Sequence, residues 1–230
     1  MINSLYDNFK HWSANGSVYI ISDTHFDDPD TKIMDSSWPS AEEQVNILKK
    51  YVTKNDTLIH LGDVGNTEWI TKLKCYKVLI MGNHDVGKSK YLREEDYSRH
   101  YARKEDALQA ITDGEIETFT TICDTIIGIK DNHLFDEVYE GALMIGEKIL
   151  LSHEPIEGLP FVLNIHGHDH AGRYIDDNHI NMASNICEFK PLNLGKYIEK
   201  HGLADIKSIH RITIDNTVER KKNNENICSK

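Results

Sequence analysis

Apolar residues along this chain occur in short runs of about five, separated by polar segments. The runs are rich in β-branched side chains, which is typical of buried strands. They lie at residues 17–21, 57–61, 76–81, 142–145, 148–152, 161–165, 180–183 and 208–214. Between the first two runs, Ser40 and Glu43 match a capping box, which predicts a helix that continues to about Lys54. A further helix is predicted at residues 194–201. This alternation of strands and helices predicts an α/β fold built on layered sheets.

Two segments depart from this alternation. From about residue 88 to residue 132 the chain is dense in alternating charge, and its apolar residues suit one face of a helix. We therefore predict a mostly helical insertion at this place. Residues 219–230 are polar, which predicts a disordered tail. The remaining pattern indicates a single domain over residues 1–218 that carries the insertion.

Composition narrows the class of protein. The chain has 230 residues, of which 39% are hydrophobic and 27% charged, as is ordinary for a globular protein. Its net charge of −11 disfavours extended, sequence-independent binding to nucleic acid, because such binding needs many contacts between Lys or Arg and phosphate. No apolar run approaches the roughly 20 residues that span a bilayer, so no contact with a membrane is expected. The four cysteines are scattered, which favours a reducing, cytoplasmic location over a disulfide framework.

Side chains that bind metals follow the ends of the predicted strands. They are Asp23, His25, Asp63, Asn83, His153, His168 and His170. Donors delivered from strand ends converge only where the strands lie side by side. Their mixture of nitrogen and oxygen without thiolate suits Mn²⁺, Fe, Zn²⁺ or Ni²⁺ rather than Ca²⁺. Two such ions a few ångströms apart are well suited to hydrolysing phosphate esters.

The spacing of these donors suggests how two ions are shared. Asp23 and His25 are two residues apart, so they can chelate one ion together. Asp63 supplies a carboxylate whose two oxygens can bridge two ions. Each motif alone is also compatible with a turn or with a structural histidine. The three imidazoles within residues 166–170, however, do not suit a hydrophobic core.

Taken in order, the motifs resemble those of the calcineurin-like metallophosphoesterase superfamily. The motifs are Asp23-x-His25, Gly62-Asp63, Gly82-Asn83-His84-Asp85, His153 and Gly167-His168-x-His170. The resemblance extends from residue 18 to about residue 186, and the segments at 22–26 and 135–139 most resemble small bacterial and phage phosphoesterases. It implies a four-layer α/β/β/α sandwich with two divalent metal ions at one edge, with Mn²⁺ as the expected metal.

The resemblance also implies a role for each residue. One metal would be held by Asp23, His25, Asp63 and His170, and the other by Asp63, Asn83, His153 and His168. His84 would act as the general acid that protonates the leaving group, and Asp85 would orient His84. His166 precedes the glycine of the last motif, so the resemblance does not make it a ligand.

The expected activity is hydrolysis of a small or nucleotide-like phosphodiester. A nuclease, a phosphomonoesterase, a protein phosphatase and a binding scaffold that lacks catalysis remain as alternatives. Asn66 stands where purple acid phosphatases place a tyrosine ligand, which excludes that branch. The absence of arginine from residues 64–67 disfavours the protein phosphatase branch. The pattern leaves the oligomeric state open.

Overall fold

A computed structural model describes residues 1–85, 87, 91, 97–116, 118–130, 134–173 and 176–228 of the chain. The strands are β1 Val18–Ile21, β2 Thr57–His60, β3 Tyr76–Ile80, β4 Tyr97–Tyr101, β5 Thr118–Ile122, β6 Thr125–Lys130, β7 Glu137–Tyr139, β8 Leu143–Gly146, β9 Ile149–Leu151, β10 Leu163–His166, β11 His179–Asn181 and β12 Leu192–Asn193. The α-helices are α1 Thr31–Met34, α2 Ala41–Tyr51, α3 Lys104–Thr112, α4 Leu194–His201 and α5 Ile209–Cys228, and 3₁₀ helices cover Asp7–Ser13 and Thr67–Lys72.

Two mixed sheets form the body of the fold, and their central strands are parallel. The first sheet has the strand order β12-β1-β2-β3-β7, in which only β12 runs antiparallel to its neighbour. The second has the order β11-β10-β9-β8, and β8 pairs antiparallel with β9. Parallel strands have their carboxyl ends at the same edge, so β1, β2 and β3 deliver the residues that follow them to one place. The predicted strands at 17–21, 57–61 and 76–81 are thereby confirmed.

The hydrophobic core lies between these two sheets. Its largest cluster joins Ile20 and Ile59 of the first sheet to Ile149, Leu151 and Ile165 of the second, all fully buried. A buried aliphatic side chain of this size stabilises a fold by about 1.5–3 kcal/mol relative to an exposed one. The two sheets therefore pack face to face, which fixes the distance between the strand ends of one sheet and those of the other.

Helix α2 covers the outer face of the first sheet. It begins at Ser40, whose hydroxyl accepts a hydrogen bond from the Glu43 amide in the predicted capping box. Val45 and Leu48 of α2 are buried and share a cluster with Leu58 of β2. The hydrophobic clusters of the described residues thus account for a helix layer and two sheet layers. The four-layer sandwich remains a prediction.

The insertion differs from the predicted, mostly helical segment. Between residues 97 and 130 it forms a three-stranded antiparallel sheet in the order β4-β6-β5, with a single helix, α3. Strands β5 and β6 are joined by Cys123 and Asp124, which both have positive φ, as in a two-residue hairpin turn. Threonine and isoleucine dominate both strands and favour extended backbone, and this signal outweighs the charge pattern. Residues 88–90, 92–96, 117, 131 and 132 of the predicted insertion lie outside the described part of the chain.

The end of the chain also differs from the prediction. Helix α5 covers residues 209–228, where the sequence predicts a strand at 208–214 and a disordered tail from 219. The Ser208 hydroxyl accepts a hydrogen bond from the Arg211 amide in the first turn. Asp215 then forms ion pairs with Lys207 and Arg211 on the helix surface. Ile209 and Ile214 are exposed, so the apolar run is not the buried face of a strand. No helix in the described part of the chain has the length and apolar character required to cross a bilayer.

Asp56 fixes the amino-terminal edge of the first sheet. Its buried carboxylate accepts hydrogen bonds from the Ser17 amide at 2.7 Å and from the amide and hydroxyl of Thr53 at 2.8 and 2.7 Å. Burial alone would raise the pKa of Asp56, but the hydrogen bonds from Thr53 and Ser17 outweigh it and hold the pKa below its ordinary value of 3.8. The ionised carboxylate therefore stabilises the fold above that value.

We predict that Asp56→Asn lowers the free energy of unfolding at pH 7 by about 1–2 kcal/mol, because the hydrogen bonds lose an ionised acceptor. The deficit should shrink as the pH falls below 4, since stability that depends on a lowered carboxyl pKa is lost as the pH passes through the folded-state pKa. Urea unfolding at pH 7, 4 and 3 measures both effects. The exposed Asp205→Asn is the control, and an equal deficit at every pH would contradict the prediction.

Candidate metal centre

The predicted metal ligands converge where the two sheets meet. Asp23 and Asn83 follow strands of the first sheet, while His153 and His168 follow strands of the second. The gap between the sheets is closed by two short contacts. The Nε2 atom of His153 lies 2.9 Å from Oδ1 of Asn83, and the amide of His168 donates to Oδ2 of Asp23 at 2.9 Å. The ends of the strands therefore bring these side chains together in space.

One group of donors consists of Asp23, His25 and His170. One ligand atom from each lies within 4.8 Å of the others, and His170 Nε2 is 3.6 Å from Asp23 Oδ1. Oδ1 of Asp23 and Nε2 of His25 are buried and have no hydrogen-bond partner. Buried polar atoms are almost always satisfied, so two atoms of this kind that lie close together fit the ligands of a cation.

A second group consists of Asp63, His153 and His168, whose ligand atoms also lie within 4.8 Å of one another. The amide oxygen of Asn83 belongs with them, since it is 3.1 Å from Nδ1 of His168. Oδ2 of Asp63 lies 3.4 Å from His153 Nε2 and 3.7 Å from His25 Nε2. The Asp63 carboxylate is thus placed between the two groups, where a bridging ligand would be.

Hydrogen bonds orient three of the imidazoles through their Nδ1 atoms. The partners are Asp28 Oδ2 for His25 at 3.1 Å, the Leu61 carbonyl for His153 at 2.8 Å and Asn185 Oδ1 for His170 at 2.8 Å. Each bond leaves Nε2 directed at the centre, which is the usual arrangement for a histidine that binds a metal. Asn185 was missed by the sequence analysis, because an isolated asparagine in a turn carries no signal of its own.

The backbone around the donors is strained. Asp23, His25, Asp63 and His168 have φ values of 55°, 42°, 57° and 63°, in the left-handed region that residues with side chains rarely adopt. Such conformations cost about 1–3 kcal/mol each and persist where the surrounding structure enforces them. A Cβ atom at Gly82 would overlap Oδ1 of Asp63, so glycine is required there. Because this strain opposes folding, it indicates that these backbone conformations serve to position the donors.

Charge makes the centre suitable for cations. Burial alone would raise the pKa of the Asp63 carboxyl, but hydrogen bonds from His153 and from the His84 amide lower it to about 2. Burial likewise disfavours protonation of His153, and the neighbouring Asp63 and Asp23 carboxylates outweigh it and raise its pKa to about 8. Asp63 is therefore ionised at neutral pH inside a buried site. The donor set fits two divalent metal ions.

His84 lies at the open side of this centre. Its side chain is 63% exposed, and Nε2 is 4.0 Å from Oδ2 of Asp63. The His84 amide donates to Oδ1 of the same carboxylate at 2.9 Å, which fixes the backbone from which the imidazole extends. The ring also lies against His25, with the ring centroids 5.4 Å apart. His84 belongs to neither donor group, and its imidazole is accessible to a substrate.

Asp85 has contacts that differ from its predicted role of orienting His84. Its carboxylate accepts hydrogen bonds from the amides of Asp63 at 2.8 Å, Val64 at 3.2 Å and Gly82 at 2.9 Å. No hydrogen bond joins it to His84 among the described residues. Asp85 therefore fastens the loop after β2 to the loop after β3.

Two further side chains shape the site and were not predicted from the sequence. His60 is fully buried, and its Nε2 atom lies 2.9 Å from the Thr24 hydroxyl, while burial lowers its pKa to about 4. It is therefore a neutral histidine beneath the centre. Trp38 is buried against His170, with ring centroids 5.7 Å apart, and forms a wall of the first donor group. Trp38 lies in an irregular segment in which periodicity gives no information. His60 is the last residue of β2, where the strand pattern predicts burial but no contact with the centre.

Comparison with known proteins agrees with the site. The family model for calcineurin-like phosphoesterase matches residues 16–203, and the chain therefore belongs to this family. Membership makes it a metal-dependent hydrolase acting on phosphoric esters. The crystal structure of the protein of unknown function AQ665 from Aquifex aeolicus has a similar fold. Its TM-score is 0.51, with 23% sequence identity over 80% of this chain and 98% of that chain. No curated protein matches the chain.

The contacts of Asp85 lead to a prediction about stability. Asp85→Asn should lower the free energy of unfolding by about 3 kcal/mol, because three backbone amides lose an ionised acceptor. The Asp63 and Gly82 amides should also exchange with solvent faster, as measured by NMR. The exposed Asp177→Asn is the matched control. Unchanged stability and exchange would show that Asp85 does not fasten the two loops.

Proposed function

We propose that this protein is a dinuclear metallophosphoesterase that hydrolyses a small or nucleotide-like phosphodiester. The proposal is carried by the position of the Asp63 carboxylate between two groups of donors. In this assignment one ion is held by Asp23, His25, Asp63 and His170, and the other by Asp63, Asn83, His153 and His168. The donors are nitrogen and oxygen atoms, which favours Mn²⁺ and leaves Fe, Zn²⁺ and Ni²⁺ as alternatives.

Bound metals in such a site supply Lewis-acid chemistry, activating a water molecule and neutralising the phosphoryl oxygens. The protein's own residues arrange this chemistry. Asp85 holds the loops that carry Asp63 and Asn83, and Asp28 and Asn185 fix the direction of two imidazoles. Rigid placement of this kind removes the need for ordering when substrate arrives.

His84 is assigned as the general acid. An expelled alkoxide is a poor leaving group, and a proton delivered to its oxygen accelerates its departure. The exposed imidazole of His84 lies at the open side of the centre, and its backbone is tied to Asp63. An intact donor set and an accessible acid together disfavour a binding scaffold that lacks catalysis.

The choice of substrate rests on charge. A net charge of −11 is unfavourable for a long polyanion, so a small ester is favoured over extended nucleic acid. Bis(p-nitrophenyl) phosphate and p-nitrophenyl phosphate distinguish the remaining candidates. Faster Mn²⁺-dependent hydrolysis of the diester supports the proposal, faster hydrolysis of the monoester identifies a phosphomonoesterase, and cleavage of plasmid DNA identifies a nuclease.

The bridging role of Asp63 is tested by Asp63→Asn. We expect the variant to lose at least one of two bound metals and more than about 100-fold in kcat, because the buried anion that attracts both cations is removed. Metal content is measured by mass spectrometry after dialysis, alongside turnover. The exposed Asp113→Asn serves as control. A variant that retains both metals and full turnover would show that Asp63 does not bridge two metals.

The role of His84 is tested by the dependence on the leaving group. His84→Ala should retain its metals yet lose about 100-fold or more in kcat on a diester with an alkyl leaving group. The loss should be smaller with a p-nitrophenolate leaving group, which departs without protonation. His210→Ala, at another exposed histidine, provides the comparison. Equal losses on both substrates would mean that His84 is not the acid.

A further inference from the structure

A groove of about 330 Å³ opens directly beside the second donor group. Asn83 and His153 of that group line it. Met81 and Ile156 provide half-buried apolar walls, and the exposed residues Glu140 and Glu154 lie along its rim. Among the described residues that line the groove there is no lysine or arginine. The groove therefore combines an apolar surface with negative charge, next to the place where a phosphoryl group would bind.

The wall formed by residues 153–156 is fixed in place. The Ser152 hydroxyl donates to the Glu154 carbonyl at 2.7 Å and accepts from Nδ2 of Asn164 at 2.8 Å. Oδ1 of Asn164 accepts from the Ile156 amide at 2.8 Å. Ser152 and Asn164 are both buried, so this wall is ordered by the core of the second sheet. A preformed wall lowers the entropy lost when a ligand binds.

We propose that this groove binds the organic arm of the phosphate ester and selects arms that are apolar and neutral or cationic over arms that carry further negative charge. The inference rests on the proposed function, because it places the phosphoryl group at the metal centre. From there an arm of a few atoms reaches between Met81 and Ile156, where its apolar surface leaves water. The carboxylates of Glu140 and Glu154 then attract a cationic end and repel an anionic one.

The size of this selection follows from exposure. Glu140 and Glu154 are open to solvent, where water and salt screen most of the attraction between two charges. We therefore expect discrimination of about threefold in the dissociation constant for each change of one charge on the arm. The effect should weaken in 0.5 M salt, because the carboxylates act through solvent.

The test uses three phosphonates that cannot be hydrolysed and that differ in their arms. They are 2-(trimethylammonio)ethylphosphonate, its neutral isostere 3,3-dimethylbutylphosphonate and the anionic 2-carboxyethylphosphonate. Calorimetric titration of the Mn²⁺-loaded protein should rank them with the cation tightest and the anion weakest. Glu140→Gln combined with Glu154→Gln should bring the cationic and neutral ligands to equal affinity. Glu147→Gln combined with Glu157→Gln removes the same charge from exposed positions outside the groove and should leave the ranking intact.

The outcomes separate this inference from the function on which it rests. Equal affinities in the unaltered protein, failure of all three ligands to bind, or an identical effect of both double variants would overturn the groove assignment. Metal-dependent hydrolysis observed alongside such a result would leave the phosphoesterase proposal standing. The expected ranking without any metal-dependent hydrolysis would overturn the phosphoesterase proposal and retain the groove as a ligand site.

Discussion

The Asp63 carboxylate is ionised and buried at the junction of two sheets, and much of the surrounding structure follows from that fact. An uncompensated charge in such a position is strongly destabilising. One oxygen of the carboxylate accepts a hydrogen bond from the His84 amide, and the other oxygen faces His25 and His153. Its own amide is held by Asp85, a second buried carboxylate. Backbone hydrogen bonds thus hold the anion in place, and its charge attracts cations to the junction.

The architecture explains how donors distant in sequence come together without a long loop. The parallel strands β1, β2 and β3 end at one edge, and β9 and β10 end opposite them across the hydrophobic core. Each donor then needs only the first few residues after a strand. Turning the chain so abruptly forces Asp23 and Asp63 into the left-handed region, and the tight packing of Gly82 against Asp63 leaves no room for a side chain. The core between the sheets supplies the stability that tolerates this strain.

Sequence analysis predicted an element correctly wherever the local pattern of residues and the environment in the fold favour the same structure. Helix α4 was predicted with its observed limits, and α2 begins at the predicted capping box, because capping depends on neighbours three residues apart. The candidate donors could be located in the sequence because several of them follow recognisable strands, and the family resemblance implied how they would share two metals. The sheet formed by β4, β5 and β6 was missed because the alternating charges in the first part of the insertion favoured a helix. They obscured the β-branched residues in its second part. Asn185 and the contacts of Asp85 depend on which loops meet in space, and no periodicity encodes that information.

The features of the centre have a common thermodynamic consequence. Strained backbone at Asp23 and Asp63, and an orphaned nitrogen on His25, all oppose folding in the absence of a cation. Each is offset when a metal binds the folded state alone, since binding at a hundredfold excess over the dissociation constant contributes about 2.7 kcal/mol per site. The same arrangement of residues therefore determines both the affinity for metal and the stability of the fold. In the assignment we propose, Asp63 faces both donor groups, so occupation of one group would alter the attraction for a cation at the other.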